Sequence, residues 1–175
     1  MKIGLLSDTH TKVQRAHEVV QHFLAQEVEF IIHAGDVVEI AVLELLQKSG
    51  VRYIAVYGNN DAHLMTYHGM YNLVQEPHYF KLANTTFKLM HLPFYMAPDT
   101  EVVLFGHTHQ FEVEFTQNGT LFLNPGESCA RNKPLMECAI LEIQEGQFDV
   151  TYCFKEPKEN TFKTKEYSFQ RKNRE

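Results

Sequence analysis

Apolar runs that end in short polar clusters are the feature of this sequence that most restricts its fold. Three of these runs, at residues 2–7, 28–34 and 51–57, have the length and composition of buried strands. Two stretches with the helical spacing of apolar residues, 13–26 and 38–48, lie between them. Strands and helices that alternate with short links predict parallel strands joined by right-handed crossovers.

The second half of the chain changes character, because short strand-like runs follow one another without helices between them. Turn signals such as residues 144–146 separate the runs. We expect antiparallel hairpins here and, for the whole chain, a mixed α/β (α+β) fold in which two sheets form a β-sandwich flanked by helices. Tyr167 and Phe169 alternate with polar residues, as in a final strand, although the segment 155–175 is polar. The predicted strands of this half are 78–82, 85–90, 101–105, 111–116, 120–123, 135–143 and 147–154.

Length and composition predict one domain over residues 1–175. No apolar stretch approaches the roughly 20 residues that span a bilayer, and the first apolar run is too short for a signal peptide. We therefore expect a cytoplasmic protein with no membrane partner. Three cysteines without Cys-x-x-Cys spacing predict buried, reduced thiols. They are Cys129, Cys138 and Cys153.

The net charge of −6 argues against broad nucleic-acid binding through the phosphate backbone. The charge is uneven: residues 155–175 carry seven Lys or Arg and four Glu, which gives +3 and leaves −9 for the rest. We interpret this basic segment as solvated surface, with a role in oligomer contacts or substrate steering as the alternative.

Five polar clusters supply carboxylate, imidazole and amide groups. Ligands of open α/β sheets gather beyond the carboxyl ends of the strands, so Asp8, Asp36 and Asn59 should meet at one rim. A helix N-cap is the better explanation for any one of them alone, but it does not explain the histidines. In an extended segment His107 and His109 point the same way, toward one site or toward solvent. The clusters are 8–10, 35–36, 58–61, His91 and 106–109.

Carboxylates and imidazoles crowded together without a metal would be unfavourable, since each unpaired, partly buried charge costs several kcal/mol. Two divalent cations (+4) beside two carboxylates (−2) would leave a local charge of +2, which attracts a phosphate ester. Because the predicted set contains no thiolate, we expect two divalent ions, with Mn²⁺ favoured over Ni²⁺, Fe²⁺ or Zn²⁺, rather than a structural zinc.

The order of these motifs resembles the calcineurin-like metallophosphoesterase superfamily. Asp-x-His, Gly-Asp, Gly-Asn-x-Asp, a lone His and Gly-His-x-His follow one another, and the turn 124–126 and the small size are similar to compact YfcE-type phosphodiesterases. The resemblance covers residues 1 to about 154 and implies the four-layer fold of that family. It also implies a dinuclear-metal-dependent phosphodiesterase in which a hydroxide that bridges the metals attacks phosphorus.

The resemblance further implies two sets of metal ligands that share one carboxylate. The first set is Asp8, His10, Asp36 and His109. The second set is Asp36, Asn59, His91 and His107. The catalytic positions that it implies are Asp36, Asn60 and His107. Asp61 is explained equally well as a carboxylate that orients a neighbour and as a helix cap.

This chain departs from the family pattern at three places. Many relatives have a histidine at the position of Asn60, thought to protonate the leaving group, and an amide cannot act as an acid. Activated diesters should therefore be hydrolysed better than alkyl monoesters. Leu92 replaces the usual glycine after His91. Only 14 residues separate His91 from Gly106, which predicts a loop and a more open site where relatives have a helix.

Three functions stay open on the sequence alone. They are a phosphodiesterase acting on a small phosphate ester, a phosphomonoesterase or pyrophosphatase of the same family, and a protein-binding scaffold such as the family's retromer subunit. Seven filled ligand positions favour an enzyme. An exposed sheet edge makes a homodimer or homotetramer a further expectation. We expect His33 to be hydrogen-bonded in the core, His17 and His22 at the surface, and Arg131 either exposed or on the substrate phosphate.

Overall fold

The structure is a computed structural model that describes residues 1–171. The helices and strands of the first half are β1 (Lys2–Leu6), α1 (Val13–Ala25), β2 (Phe30–His33), α2 (Ile40–Lys48), β3 (Arg52–Val56), a 3₁₀ helix (Ala62–Tyr67) and β4 (Leu73–Val74). Those of the second half are β5 (His78–Leu82), β6 (Thr85–Leu89), β7 (Val102–Leu104), β8 (Phe111–Phe115), β9 (Leu121–Pro125), β10 (Met136–Gln144), β11 (Gln147–Lys155) and β12 (Lys163–Gln170).

Two sheets pack face to face, which confirms the predicted architecture. The larger sheet has the strand order β12-β11-β10-β1-β2-β3-β4, and the smaller has the order β5-β6-β7-β9-β8. Alternate residues of β1 face opposite sides: Ile3 and Leu5 lie in the core between the sheets, whereas Leu6 packs against the helices. Both α1 and α2 cover the outer face of the larger sheet with apolar side chains such as Phe23 and Leu46.

The strands β1, β2 and β3 are parallel, as the sequence predicts. The prediction of antiparallel hairpins in the second half is wrong for the centre of the smaller sheet, where β6, β7 and β9 pair in parallel. It is correct for the pairs β5–β6 and β8–β9. The reason for the parallel pairing is that the long connection 90–101 returns the chain to the opposite end of the sheet, so that β7 runs in the same direction as β6, and that β8 lies at the sheet edge beyond β9. The carboxyl ends of β6 and β7 consequently lie at the same edge of their sheet.

Residues 90–101 form a loop, as the short spacing predicts, and a buried cation holds it. The Lys88 ammonium donates to the carbonyl oxygens of Tyr95 and Ala97, both at 2.8 Å, and pairs with Asp99 at 2.5 Å. Met96 packs on the outer face of the smaller sheet. The loop therefore covers part of the face on which relatives were expected to carry a helix.

The terminal segment forms a strand, because Tyr167 and Phe169 on β12 pack against the core between the sheets. Residues 172–175 of the basic segment lie outside the described residues. The polar stretch after β3 carries the 3₁₀ helix and β4, which the sequence did not predict. All three cysteines are buried and free. No helix within residues 1–171 is long and apolar enough to cross a membrane.

Candidate metal centre

The seven predicted ligand positions all come together where the strands of both sheets end. Backbone hydrogen bonds join the first loops, from Asp8 N–H to Gly35 O at 3.0 Å and from His10 N–H to Asp36 O at 3.1 Å. Five of the seven residues have positive φ angles between 44° and 67°, a region that non-glycine residues rarely occupy. Strained backbone of this kind concentrates at functional sites. The five residues are Asp8, His10, Asp36, His107 and His109.

The first group of ligands is Asp8, His10 and His109, and it contains a carboxylate oxygen without a hydrogen-bond donor among the described residues. Asp8 Oδ1 is buried, has no hydrogen-bond partner among the described residues, and lies 3.2 Å from His109 Nε2 and 3.9 Å from His10 Nε2. The two imidazole Nε2 atoms are 3.3 Å apart. Ser7 Oγ, at 2.6 Å, donates to the other oxygen of Asp8. A cation between the three side chains fits this arrangement, because it would satisfy the orphaned oxygen.

The second group surrounds the amide oxygen of Asn59. Asn59 Oδ1 lies 3.0 Å from His91 Nε2 and 3.1 Å from His107 Nδ1. The other ring nitrogen of His91 lies 2.8 Å from the Ala34 carbonyl oxygen and donates to it, which leaves the Nε2 lone pair for a metal.

Asp36 lies between the two groups. Its Oδ1 is 3.4 Å from His91 Nε2, and its Oδ2 is 3.6 Å from His10 Nε2. Asn60 donates to both oxygens, from its side-chain amide at 2.6 Å and from its backbone N–H at 3.0 Å. The two oxygens of Asp36 therefore face the two groups of ligands.

The pKa values of Asp36 and His10 favour the forms that bind metals, whereas the pKa values of Asp8 and His91 are raised. Burial alone would raise the pKa of Asp36, but the hydrogen bond and the charge of His91 and the hydrogen bonds from Asn60 hold it well below its usual range. Burial lowers the pKa of His10 and keeps the ring neutral. Burial raises the pKa of Asp8, in keeping with a carboxylate that lacks a partner for one oxygen.

Two glycines allow the backbone to approach this closely. A Cβ atom on Gly58 would lie 2.2 Å from the backbone nitrogen of Asp36. A Cβ atom on Gly106 would lie 2.2 Å from Ser7 Oγ and 2.5 Å from the Ala34 carbonyl oxygen. Larger residues at either position would force the loops of the site apart.

Asp61 ties two of the ligand-bearing loops together. Its buried carboxylate accepts backbone N–H groups from Val37 at 3.1 Å, Val38 at 2.7 Å and Gly58 at 2.7 Å. Its side chain makes no capping hydrogen bond to the 3₁₀ helix. Of the two explanations that the sequence left open, the orienting carboxylate is therefore the correct one.

Sequence reasoning missed Glu127, which is fully buried behind His109. Its Oε2 lies 2.6 Å from His109 Nδ1, and backbone N–H groups of Asn132 and Lys133 donate to its Oε1, both at 2.9 Å. Burial would raise the pKa of Glu127, but the His109 hydrogen bond and these backbone donors lower it. The ionised carboxylate fixes the Nδ1–H form of His109, so that Nε2 faces the first group. The only sequence signal was the turn 124–126 that precedes Glu127.

Cys129 adds a thiol to the same region. His10, His109 and Cys129 each offer a ligand atom within 4.8 Å of the others, as do Asp8, Asp36 and His91. Burial raises the pKa of the Cys129 thiol to about 12, and its sulfur lies 3.5 Å from Glu127 Oε2 as a donor. No spacing in the sequence connects this cysteine with the histidines.

The remaining histidines have contacts of their own. His63 Nε2 lies 2.6 Å from the Val38 carbonyl oxygen, and His68 Nδ1 lies 3.3 Å from the Tyr57 hydroxyl. His22 is only partly exposed, because its ring packs against Phe162 with the centroids 4.4 Å apart. The exposed Arg131 lies near the cluster, since its charge contributes to the lowered pKa of His10.

His33 is a core residue, as predicted, and it predicts how stability depends on pH. Gly35 N–H donates to its Nδ1 at 3.2 Å, and its Nε2 is 3.0 Å from Thr9 Oγ1. Burial lowers the pKa of His33 to about 3, below the ordinary 6.5 of the unfolded chain. Between these values the unfolded state binds more protons, so this contribution to stability is lost as the pH falls through 6.5 toward 3.

We expect urea denaturation of metal-free protein to show this loss, which approaches about 1.4 kcal/mol per pH unit for one such group. His33→Gln should reduce the slope of stability against pH below 6.5. The exposed His17 supplies the control, since His17→Gln should keep the wild-type slope. Equal slopes in the His33 variant and the wild type would contradict this role.

The sequence matches the model of the calcineurin-like phosphoesterase superfamily domain over residues 1–146. The chain therefore belongs to this superfamily, and the class of protein that the fold and the site define is a metal-dependent phosphoesterase. The resemblance inferred from the motifs is confirmed.

One relative in sequence and two solved structures show which members of the superfamily this chain is similar to. The phosphodiesterase MJ0936 of Methanocaldococcus jannaschii is 27% identical over 161 residues, which cover 85% of this chain and 96% of the relative. YfcE, a phosphoesterase from E. coli, is similar in structure with a TM-score of 0.67 at 20% identity, over 85% of this chain and 91% of that chain. Wild-type Vps29 from Entamoeba histolytica, solved with Zn²⁺, has a TM-score of 0.74 at 18% identity, over 96% of this chain and 99% of that one.

Proposed function

We propose that this protein hydrolyses phosphate diesters with two divalent metal ions bound at the candidate centre. The observation that carries the proposal is the position of Asp36, whose two oxygens face the two groups of ligands. The orphaned Asp8 Oδ1 supports a cation in the first group. The 27% sequence identity with the phosphodiesterase MJ0936 supports a diester as the substrate.

The ligand assignment that we propose follows the two groups. Asp8, His10 and His109 would hold one ion, Asn59, His91 and His107 the other, and Asp36 both. When bound, two such ions supply positive charge for the phosphoryl oxygens and a water molecule of lowered pKa. Mn²⁺ is the ion that we favour, since carboxylate, amide and imidazole donors outnumber the one nearby thiol.

The protein's own residues would position and admit the substrate. Asn59, Asn60 and His107 are exposed, whereas the other predicted ligands are buried. A phosphate ester would therefore approach from the side of these three residues. Asn60 would act as a positioning residue, because its side-chain amide donates to Asp36.

A direct test uses His107, whose exposure makes its replacement compatible with folding. We expect His107→Ala to lower kcat/KM for bis(p-nitrophenyl) phosphate by more than about tenfold. Loss of a residue that only hydrogen-bonds to a metal ligand already costs about that much, and loss of the ligand itself should cost more. His17→Ala, at another exposed histidine, should leave hydrolysis unchanged. Hydrolysis by metal-stripped protein, or full activity in the His107 variant, would refute the proposal.

Asn60 determines which leaving groups the enzyme accepts. Because an amide cannot protonate the leaving group, esters of p-nitrophenol should be hydrolysed much faster than alkyl esters. Asn60→His restores an acid, and we expect it to raise the ratio of alkyl to p-nitrophenyl hydrolysis by at least about tenfold. Asn60→Ala is the control, since it also removes the contact with Asp36 but adds no acid. An unchanged ratio in Asn60→His would show that Asn60 does not limit leaving-group protonation.

The likeness to Vps29 keeps a protein-binding scaffold as the second candidate function. That likeness extends over 96% of this chain, at an identity that shows the fold alone. The same assay separates the two candidates, because a scaffold predicts no metal-dependent turnover of either a diester or a monoester. The ratio of diester to monoester turnover then separates a phosphodiesterase from a phosphomonoesterase.

A further inference from the structure

A buried thiol that the proposed ligand assignment does not use lies beside the first group of ligands. Cys129 is fully buried, and its sulfur lies within 4.8 Å of a ring nitrogen of His10 and of one of His109. The backbone holds the cysteine there, because the Cys129 N–H donates to the Asp8 carbonyl oxygen at 3.2 Å. The thiol and the three side chains of the first group therefore form one compact cluster.

The spacing of the donors in this cluster fits an ion with tetrahedral coordination. Zinc–nitrogen bonds of about 2.0–2.1 Å place two nitrogen ligands about 3.3–3.4 Å apart in that geometry. The Nε2 atoms of His10 and His109 are 3.3 Å apart. Asp8 Oδ1, which is buried and has no hydrogen-bond donor among the described residues, lies 3.2 Å from His109 Nε2. Three donors are thus at tetrahedral spacing, and the Cys129 sulfur is near enough to supply the fourth.

The thiol is protonated in the metal-free protein and can exchange its proton for a cation. Burial and the negative charge of Glu127, whose Oε2 accepts the S–H at 3.5 Å, raise the pKa of Cys129. A thiol that coordinates a divalent cation gives up its proton, which is released here to solvent. Glu127 does not need the S–H, because it also accepts the Nδ1–H of His109 and backbone N–H groups of Asn132 and Lys133.

A sulfur donor changes which ion a site prefers. Thiolate favours Zn²⁺ and other thiophilic ions, whereas Mn²⁺ prefers carboxylate, carbonyl and water oxygens. The second group, which is Asn59, His91 and His107, supplies an amide oxygen and two imidazoles and contains no sulfur. The two positions of the centre therefore differ in the softness of their donors.

We propose that Cys129 is an additional ligand of the first metal position and makes that position selective for Zn²⁺ over Mn²⁺. This inference rests on the proposed function, since it concerns the same centre and adds a residue to the seven predicted ligands. The preference for Mn²⁺ given above weighs the donors of both groups together. At the first position alone, sulfur is one donor of four beside the shared Asp36, and Zn²⁺ there is compatible with Mn²⁺ at the second position.

Cobalt spectroscopy of the whole protein tests for the bond between metal and sulfur. Co²⁺ can occupy the tetrahedral sites that Zn²⁺ prefers, and a thiolate bound to Co²⁺ adds a charge-transfer band in the near ultraviolet. We expect the metal-free wild type to develop this band with one equivalent of Co²⁺, and Cys129→Ser to lack it. Cys138→Ser is the matched control and should keep the band, because Cys138 is equally buried but lies on β10 against the helices.

X-ray absorption at the zinc edge tests the same bond without any variant. The wild type with one equivalent of Zn²⁺ should show one sulfur at about 2.3 Å beside nitrogen and oxygen ligands at about 2.0–2.2 Å. A coordination shell of nitrogen and oxygen alone would overturn the proposal, whether or not the cysteine variants fold.

The ion preference of the first position gives a further readout. Asn59→Ala weakens the second position, so competition with a chelator in this background measures the first. We expect Cys129→Ser to lower the affinity for Zn²⁺ by at least about tenfold and the affinity for Mn²⁺ by less than about threefold. A cobalt band that persists in Cys129→Ser, or equal losses of affinity for the two ions, would contradict the role of Cys129.

These measurements need no turnover, so failure of this proposal can be distinguished from failure of the proposed function. A sulfur ligand that is lost in Cys129→Ser supports the proposal even where the protein hydrolyses no diester, in which case the proposed function is wrong. Metal-dependent hydrolysis by a centre without a sulfur ligand leaves the proposed function intact and refutes the assignment of Cys129.

Discussion

Asp36→Asn is expected to abolish metal-dependent hydrolysis and to prevent the binding of at least one metal ion. The substitution keeps the size of the side chain, but it removes the negative charge and one oxygen of the carboxylate that faces both groups of ligands. Loss of a residue that only hydrogen-bonds to a metal ligand typically lowers activity or metal affinity by about 10–100-fold. Loss of a ligand shared by both groups should therefore lower activity by more than about a hundredfold. Metal content and kcat/KM for bis(p-nitrophenyl) phosphate measure the effect.

Asp149→Asn is the control for this experiment. Asp149 lies on β11 and contacts Gln147 and Ser168, in a part of the larger sheet that does not belong to the site. The same chemical change there should leave metal content and hydrolysis unchanged. A folded Asp36 variant with full metal content and full activity would contradict the position that we assign to Asp36.

Glu127→Gln is expected to weaken the first metal position by about 10–100-fold, the usual effect of replacing a carboxylate that orients a metal-binding histidine. The neutral amide no longer stabilises the Nδ1–H form of His109. Its NH₂ group would also face donors, because the backbone N–H groups of Asn132 and Lys133 already point at this side chain. Competition with a chelator measures the change in metal affinity.

A second measurement on the same variant separates orientation from simple structural damage. Nitrogen NMR of His109 should show one tautomer in the wild type and a mixture in Glu127→Gln. Glu114→Gln, at an exposed glutamate on β8, should change neither the tautomer nor the metal affinity. Unchanged affinity together with an unchanged tautomer in the Glu127 variant would refute the role of this carboxylate.

Local patterns were sufficient to predict the fold from β1 to β3. The apolar runs and the helical spacing locate β1 to β3, α1 and α2, since each signal lies within the element that it predicts. The smaller sheet was harder to predict. Whether β6 and β7 pair in parallel depends on the path of residues 90–101, and that path depends on long-range contacts such as those of the buried Lys88 ammonium. A run of short strands alone does not contain this information.

Part of the candidate site was likewise predictable from local patterns, and part of it was not. The predicted ligands share a local signal, a polar cluster at the end of an apolar run, and all of them come together. Glu127, Asp61 and Cys129 act across the fold. For example, Glu127 reaches His109 from 18 residues away along the chain, and nothing near Glu127 in the sequence signals a metal. The stacked rings of Phe111 and Tyr152, which lie close to His109, likewise come from two different sheets.

The central claim is that the polar clusters form one centre for two metal ions and that this centre hydrolyses diesters. Titration of chelator-treated protein with Mn²⁺, with bound metal and hydrolysis of bis(p-nitrophenyl) phosphate measured on the same samples, tests it most directly. We predict that the chain binds two ions and that turnover, absent in the stripped protein, rises as they bind. Folded protein that binds no ions, or that binds two without any turnover, would contradict the claim.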